Sequence, residues 1–277
     1  MSRIRIGNQT AFSAPQPMEP LEFAIAHGFD AFEWFSDKKN TGGWNEMDMD
    51  PAERARIKKL GQSHDIRYTI HAPWQANPLY PEGEGLLKRS LDFAADIGAD
   101  LVNLHLYMDR GPQAYVNSLR DIISYAAQLG VRLSIENTPL TTPEDFNTTF
   151  ACFKQLDINT DHVGMCLDIG HANLCQSTHN DYIRYVDELA ADLPIIHLHV
   201  HENHGDHDKH LTLFTGPAKH NDSGIRELIK RMKQRHYSGA MIMEQWPQPT
   251  SLLLEAEHKL RMMLGDYGKK KHSAIAT

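Results

Sequence analysis

Short β-rich runs recur eight times along the chain, alternating with longer stretches that have helical spacing. The β-rich runs read as strands at Ile4–Gln9, Ala31–Trp34, Arg67–His71, Leu101–Leu106, Arg132–Glu136, Val163–Asp168, Ile195–Val200 and Gly239–Glu244. Helical spacing covers Pro20–His27, Pro51–His64, Gly85–Ile97, Pro112–Leu129, Pro143–Leu156, Asp181–Leu189, Gly224–Arg235 and Ser251–Leu264. Boundary signals support these helices. Thr142-Pro143-Glu144-Asp145 supplies a capping side chain, a first-turn proline and early acids, and Gly130 stops the helix that ends at Leu129.

Eight strand–helix units in 277 residues match the size and order of a single-domain (β/α)8 barrel spanning residues 1–267. The remaining residues, 268–277, carry no periodicity and read as a flexible tail. Parity tests the barrel. In the fifth run Val131, Leu133 and Ile135 alternate with Arg132, Ser134 and Glu136; in the sixth, Val163, Met165 and Leu167 alternate with Gly164, Cys166 and Asp168. The fourth sets Val102, Leu104 and Leu106 against Asn103 and His105. In a closed barrel the apolar set faces the helices and the other set faces inward, so an ionisable residue ends the inward side of each of these strands. Parallel strands buried on both faces are ordinarily apolar throughout, so this placement marks a site.

Six of the 17 histidines lie between His197 and His210, directly after an apolar run. Parity groups His197, His199 and His201 on one face of the seventh strand. Collecting the strand ends gives His71, His105, Glu136, Asp168, His199 and Glu244, and the loops after strands six and seven add His171, Asp208 and His210. Imidazole and carboxylate donors suit zinc, manganese or iron, and nine of them leave room for one to three divalent ions. His197 and His201 read as supporting side chains, and His204, His207 and His220 as loop residues.

Composition narrows the partners. A net charge of −8 supplies no basic field for nucleic acid, although bound cations would offset part of it locally. Three cysteines without a CxxC pair argue against a disulfide framework and for the cytoplasm. No apolar stretch reaches transmembrane length, so no membrane partner is expected. A homo-oligomer is left open.

The segments His71-Ala-Pro-Trp74, Ile135-Glu-Asn-Thr-Pro139, Cys166-Leu-Asp-Ile-Gly-His-Ala-Asn173, His199-Val-His-Glu-Asn203 and Asp208-Lys-His210, with the strand ending at Glu244, resemble the xylose isomerase-like TIM barrel superfamily. That superfamily holds sugar and sugar-phosphate isomerases and epimerases, related dehydratases, and the endonuclease IV family. In the isomerase branch the resemblance implies one divalent ion, zinc or manganese, held by Glu136, Asp168, His199 and Glu244. Glu136 and Glu244 would then be the catalytic pair that moves protons on a small polyhydroxy substrate. His171, Glu33, Trp74, Asn137 and Lys209 become substrate-binding candidates, Glu33 because Gly28–Trp34 also resembles that branch. In the endonuclease IV branch, all nine donors would hold three zinc ions that activate water against abasic-site DNA. A metal-dependent dehydratase or lyase is the third outcome. The stretch Leu211-Thr-Leu-Phe-Thr-Gly216 departs from the endonuclease pattern after its Asp-x-His pair.

Overall fold

A computed structural model describes residues 3–10, 14, 16–39 and 42–265; the tail assigned from sequence lies outside the described residues. Eight parallel strands close into a barrel in chain order: β1 (Arg5–Gln9), β2 (Ala31–Phe35), β3 (Arg67–His71), β4 (Leu101–His105), β5 (Arg132–Glu136), β6 (Val163–Asp168), β7 (Ile195–His199) and β8 (Ala240–Met243). Around them run α1 (Glu19–His27), α2 (Pro51–His64), α3 (Pro81–Ile97), α4 (Gly111–Ser118), α5 (Arg120–Leu129), α6 (Pro143–Gln155), α7 (Ile169–Leu174), α8 (Tyr182–Glu188), α9 (Ser223–Gln234) and α10 (Ser251–Leu264). The chain is thus a single-domain TIM barrel. Among the described residues no helix is long and apolar enough to cross a membrane.

The strands sit within a residue or two of where the β-rich runs put them. Leu133, Ile135, Met165 and Leu167 are buried against the helical ring, while Ser134, Glu136, Cys166 and Asp168 are buried inside the barrel. Ala31, Ala240 and Ile242, which share the inward parity, form a small apolar cluster apart from the main core. Strand pairing aligns the functional ends, with Gln9 beside Glu33, His105 beside Glu136, and Asp168 beside His199.

Apart from α3, which starts at Pro81, a turn before the expected Gly85, two helical expectations change. The single helix over Pro112–Leu129 divides at Leu119, whose amide is shared between the carbonyls of Tyr115 and Val116, a tightening that separates α4 from α5. The other change is α7, six residues that begin directly at the end of β6. Asp168 caps it, its Oδ1 accepting from the His171 amide at 2.7 Å. At α6, by contrast, the capping side chain read from sequence is in place, and the structure completes it as a capping box, with Thr142 and Asp145 each accepting from the other's backbone.

Candidate metal centre

All six strand-end donors converge at the carboxyl mouth of the barrel, the face where TIM-barrel sites are built. Glu136 is the hub. Its Oε2 lies 3.1 Å from His71 Nε2 and 3.8 Å from His105 Nε2, and its Oε1 lies 3.3 Å from both His171 Nδ1 and His199 Nδ1. His199 Nδ1 also reaches Glu244 Oε1 at 3.2 Å and Asp168 Oδ2 at 3.9 Å. Glu136, Asp168 and His199 have no solvent exposure at all.

A second group stands nearer the solvent. Asp208 Oδ2 lies 3.2 Å from His171 Nε2 and 2.9 Å from His210 Nε2. His201 joins the two groups: its Nε2 is 3.0 Å from Asp168 Oδ2, 3.7 Å from Glu244 Oε2 and 3.8 Å from Asp208 Oδ1, and its ring stacks on His210 at 4.0 Å. Gly170 makes this approach possible, because a Cβ there would overlap the His201 ring. His201 therefore stands among the donors themselves, where the sequence had placed it as a supporting side chain.

The donor chemistry fits divalent cations. His71 Nδ1 sits 2.7 Å from the Ala72 carbonyl and His171 Nδ1 sits 2.8 Å from the Asn137 carbonyl, so both Nδ1 atoms must be donors. In a neutral ring each Nε2 is then a bare lone pair facing a carboxylate, Glu136 for His71 and Asp208 for His171. Facing lone pairs repel unless a proton or a cation stands between them. Glu136 Oε1, His199 Nδ1 and Glu244 Oε2 are buried without a hydrogen-bond partner, which such a cation would also supply. The close-set donors comprise His71, Glu136, His199 and Glu244 in one group, Asp168, His201 and Glu244 in another, and His171, His201, Asp208 and His210 in a third.

The protons distribute unevenly over this cluster. Burial alone would raise the Glu136 carboxyl, but the imidazoles of His199, His105 and His71 outweigh it and hold it well below the usual range. Burial pushes Glu244 up, the neighbouring Asp168 and Glu136 carboxylates add to it, and His199 and His210 only partly offset them. His105 is driven down to about 4, chiefly by burial, and so stays neutral. His210, despite burial, is lifted to about 9 by its hydrogen bond to Asp208 and the charges of Glu244 and Asp208.

The substrate-binding candidates disperse. Asn137 spends its side chain on Asp168, donating Nδ2 to that residue's carbonyl at 2.9 Å and accepting its amide at Oδ1 at 2.8 Å. Glu33 is fully buried lower in the barrel, against His197 and His199. Lys209 turns to Asp206 at 2.7 Å instead of the mouth. Trp74 is half exposed, its carbonyl accepting from the Tyr107 hydroxyl. His204, His207 and His220 are exposed, as the sequence indicates.

Two amides join the site without having been singled out as functional in the sequence, where Asn103 stood only as an inward-facing residue. Asn103 Nδ2 donates to Glu136 Oε2, and Gln9 Nε2 reaches Glu244 Oε1 at 3.2 Å, so each glutamate of the pair has one neutral donor. Both amides share the inward parity of their strands, and that parity was the available signal.

The sequence profile of the xylose isomerase-like TIM barrel family matches residues 21–263. The chain belongs to that family. Among curated proteins, an uncharacterised protein of Methanocaldococcus jannaschii is 28% identical over 188 residues, covering 63% of this chain and 70% of its own. A second from the same organism is 23% identical over 247 residues, covering 81% and 77%. Among solved structures, a D-tagatose 3-epimerase-like protein superposes with a TM-score of 0.72 at 20% identity over 95% of this chain and 97% of the other. L-ribulose 3-epimerase gives 0.71 at 17% identity over 95% of each chain, and endonuclease IV from Thermus thermophilus gives 0.68 at 20% over 95% and 99%. At these identities the likeness to sugar epimerases and to endonuclease IV shows the fold alone.

Proposed function

We propose that the protein is a divalent-metal-dependent isomerase or epimerase of a small sugar, sugar phosphate or related polyhydroxy compound. One observation carries this reading: Glu136 and Glu244 face the same imidazole nitrogen, His199 Nδ1, at 3.3 and 3.2 Å, while their proton affinities are pushed in opposite directions. Two carboxylates driven apart in this way suit a base and an acid acting on one substrate. Glu136, Asp168, His199 and Glu244 would hold the catalytic cation, zinc or manganese, which polarises a substrate carbonyl and its neighbouring hydroxyl. Glu136, kept ionised by its imidazoles, takes the proton from the carbon beside that carbonyl. Glu244 would deliver a proton either to the opposite face of the carbon that lost one, which epimerises it, or to the former carbonyl carbon while the neighbouring hydroxyl gives up its proton to become the new carbonyl, which isomerises the sugar. Asn103 and Gln9 orient the two carboxyl groups, and Asn137 fixes Asp168 through its backbone. The half-exposed Trp74 rim and His171 border the opening through which substrate enters.

The outer group of His171, His201, Asp208 and His210 favours a second reading, a multinuclear zinc phosphodiesterase like endonuclease IV. Metal content and substrate separate the two. Untagged protein is analysed for bound metal, then incubated with a ketose panel and, separately, with abasic-site duplex DNA. The isomerase reading expects ketose turnover that disappears in Glu136→Gln and Glu244→Gln. Cleavage of abasic DNA with three zinc ions per chain and no ketose turnover would replace it with the second.

A further inference from the structure

Lower in the barrel, beneath the cation ligands, lies one more carboxylate with an unusually complete set of donors. Glu33 on β2 has no solvent exposure. Its Oε1 accepts from Gln9 Nε2 at 2.9 Å, and its Oε2 accepts from Thr69 Oγ1 at 2.9 Å and from the His197 ring at 2.8 Å. The fourth neighbour is His199, whose Nε2 lies 2.9 Å from Oε1 but off the line of a made hydrogen bond. The opposite nitrogen of that ring, Nδ1, faces Glu136 and Glu244 and also lacks a partner.

A neutral imidazole has one proton to place between its two nitrogens. With the proton on Nδ1, the Nε2 lone pair would confront the Glu33 carboxylate, while Nδ1–H would block the nitrogen that faces the cation ligands. With the proton on Nε2, the carboxylate gains a donor, and the Nδ1 lone pair points to where Glu136 and Glu244 converge. Carboxylates behind metal-bound histidines act in this way, fixing both the tautomer and the ring plane.

We propose that Glu33 is a positioning residue that sets the tautomer and orientation of His199, and through it the affinity of the barrel mouth for its divalent cation. The inference rests on the cation-binding reading given above. His197 and Thr69 hold the carboxylate from the other side, and Gln9 links it to Glu244, spanning from Glu33 Oε1 to Glu244 Oε1. The sequence suggested that Glu33 touches substrate; its burial beneath His199 gives it this different task.

The test compares wild type, Glu33→Gln, Glu33→Asp and Thr69→Val by chelator competition for Zn²⁺ and Mn²⁺, and by ¹⁵N NMR of the His199 ring in the metal-free protein, followed as rising pH takes the ring to its neutral form. Glu33→Gln keeps the volume and removes the acceptor charge, so cation affinity is expected to fall about 10–100-fold, with the ring shifting away from the Nε2–H tautomer. Thr69→Val removes a donor to the same carboxylate while sparing His199, and its loss is expected to stay within about threefold on the same scale. Glu33→Asp retains the charge at a shorter reach and falls between them, and it serves as the test if the glutamine variant does not fold. Unchanged affinity in Glu33→Gln, or an equal loss in Thr69→Val, would overturn the proposal. If wild type binds neither cation, the metal reading itself fails, and the tautomer measurement still decides whether Glu33 controls His199.

Discussion

At the scale of single residues, the site works by deciding which donors carry protons when a cation arrives. His210 is lifted to about 9, so at neutral pH it holds a proton that an incoming ion must displace. Cation affinity of the outer group is therefore expected to rise at least about tenfold per pH unit toward pH 9, His210 releasing one proton for each ion bound there and His171, also raised, adding to the release. Calorimetry in buffers of different ionisation enthalpy reads that proton directly, and a pH-independent affinity in this range would show that His210 is not a ligand. The folding side has the opposite sign. A histidine whose folded value is raised above the ordinary 6.5 stabilises the metal-free protein below that pH, and the contribution is lost as pH rises through about 9. His105, held near 4, gives no such release. Asn137 makes a different kind of contribution. Its amide satisfies both backbone groups of Asp168 inside the barrel, so Asn137→Ala leaves a buried N–H and a buried C=O unpaired. A loss on the order of 3 kcal/mol in denaturant unfolding is expected, with weaker cation binding, because Asp168 loses its anchor. A variant as stable as wild type would mean that water replaces the amide.

At the scale of elements, the approach of β7 and its following loop to the start of α7 joins the two donor groups. Gly170→Ala would drive a methyl into the His201 ring, which also stacks on His210. We expect a destabilisation of about 1–3 kcal/mol and a greater loss of affinity in the outer group than in the inner one; titration with Co²⁺, whose absorption reports each coordination sphere, separates the two. An unperturbed outer-group spectrum would show that His201 does not need this packing. The same region shows where the sequence was legible. The eight strands were readable because β-rich runs are a local property, and the period-two alternation within β5 and β6 gave the inward set Ser134, Glu136, Cys166 and Asp168 directly. The helix α7 was hidden because Asp-Ile-Gly-His reads as a turn, and its glycine serves a neighbour 31 positions away, which no local pattern records. Gln9 and Asn103 had the right parity, but their partners depend on closure: Gln9 meets Glu244 only because β1 pairs with β8. Lys209 lies between two donors in sequence, yet turns to Asp206, since alternate residues of an irregular loop carry no fixed direction.

At the scale of the whole molecule, the mouth gathers Glu136, Asp168, Asp208 and Glu244 around a chain already carrying a net charge of −8, with imidazoles as the neighbouring cations. Without a metal ion, the anionic neighbours outweigh burial and raise His71, His171 and His199 above the ordinary imidazole range, which favours protons where a cation would stand. Under the proposed function, a divalent ion would replace those protons in the folded state and find no preformed site in the unfolded chain, so it would stabilise by mass action. At a free cation concentration about a thousandfold above its dissociation constant, the gain is about 4 kcal/mol. For a barrel of this length that corresponds to a rise of roughly 10 °C in the unfolding midpoint. The effect should be present at pH 7.5 and shrink at pH 5, where protons compete for the same lone pairs. Chelator-stripped protein, scanned by calorimetry with and without added Zn²⁺ or Mn²⁺ at both pH values, tests this. A midpoint insensitive to either cation at pH 7.5 would mean that the ring of donors is satisfied by its own protons, and the metal-dependent chemistry proposed for it would fall with that result.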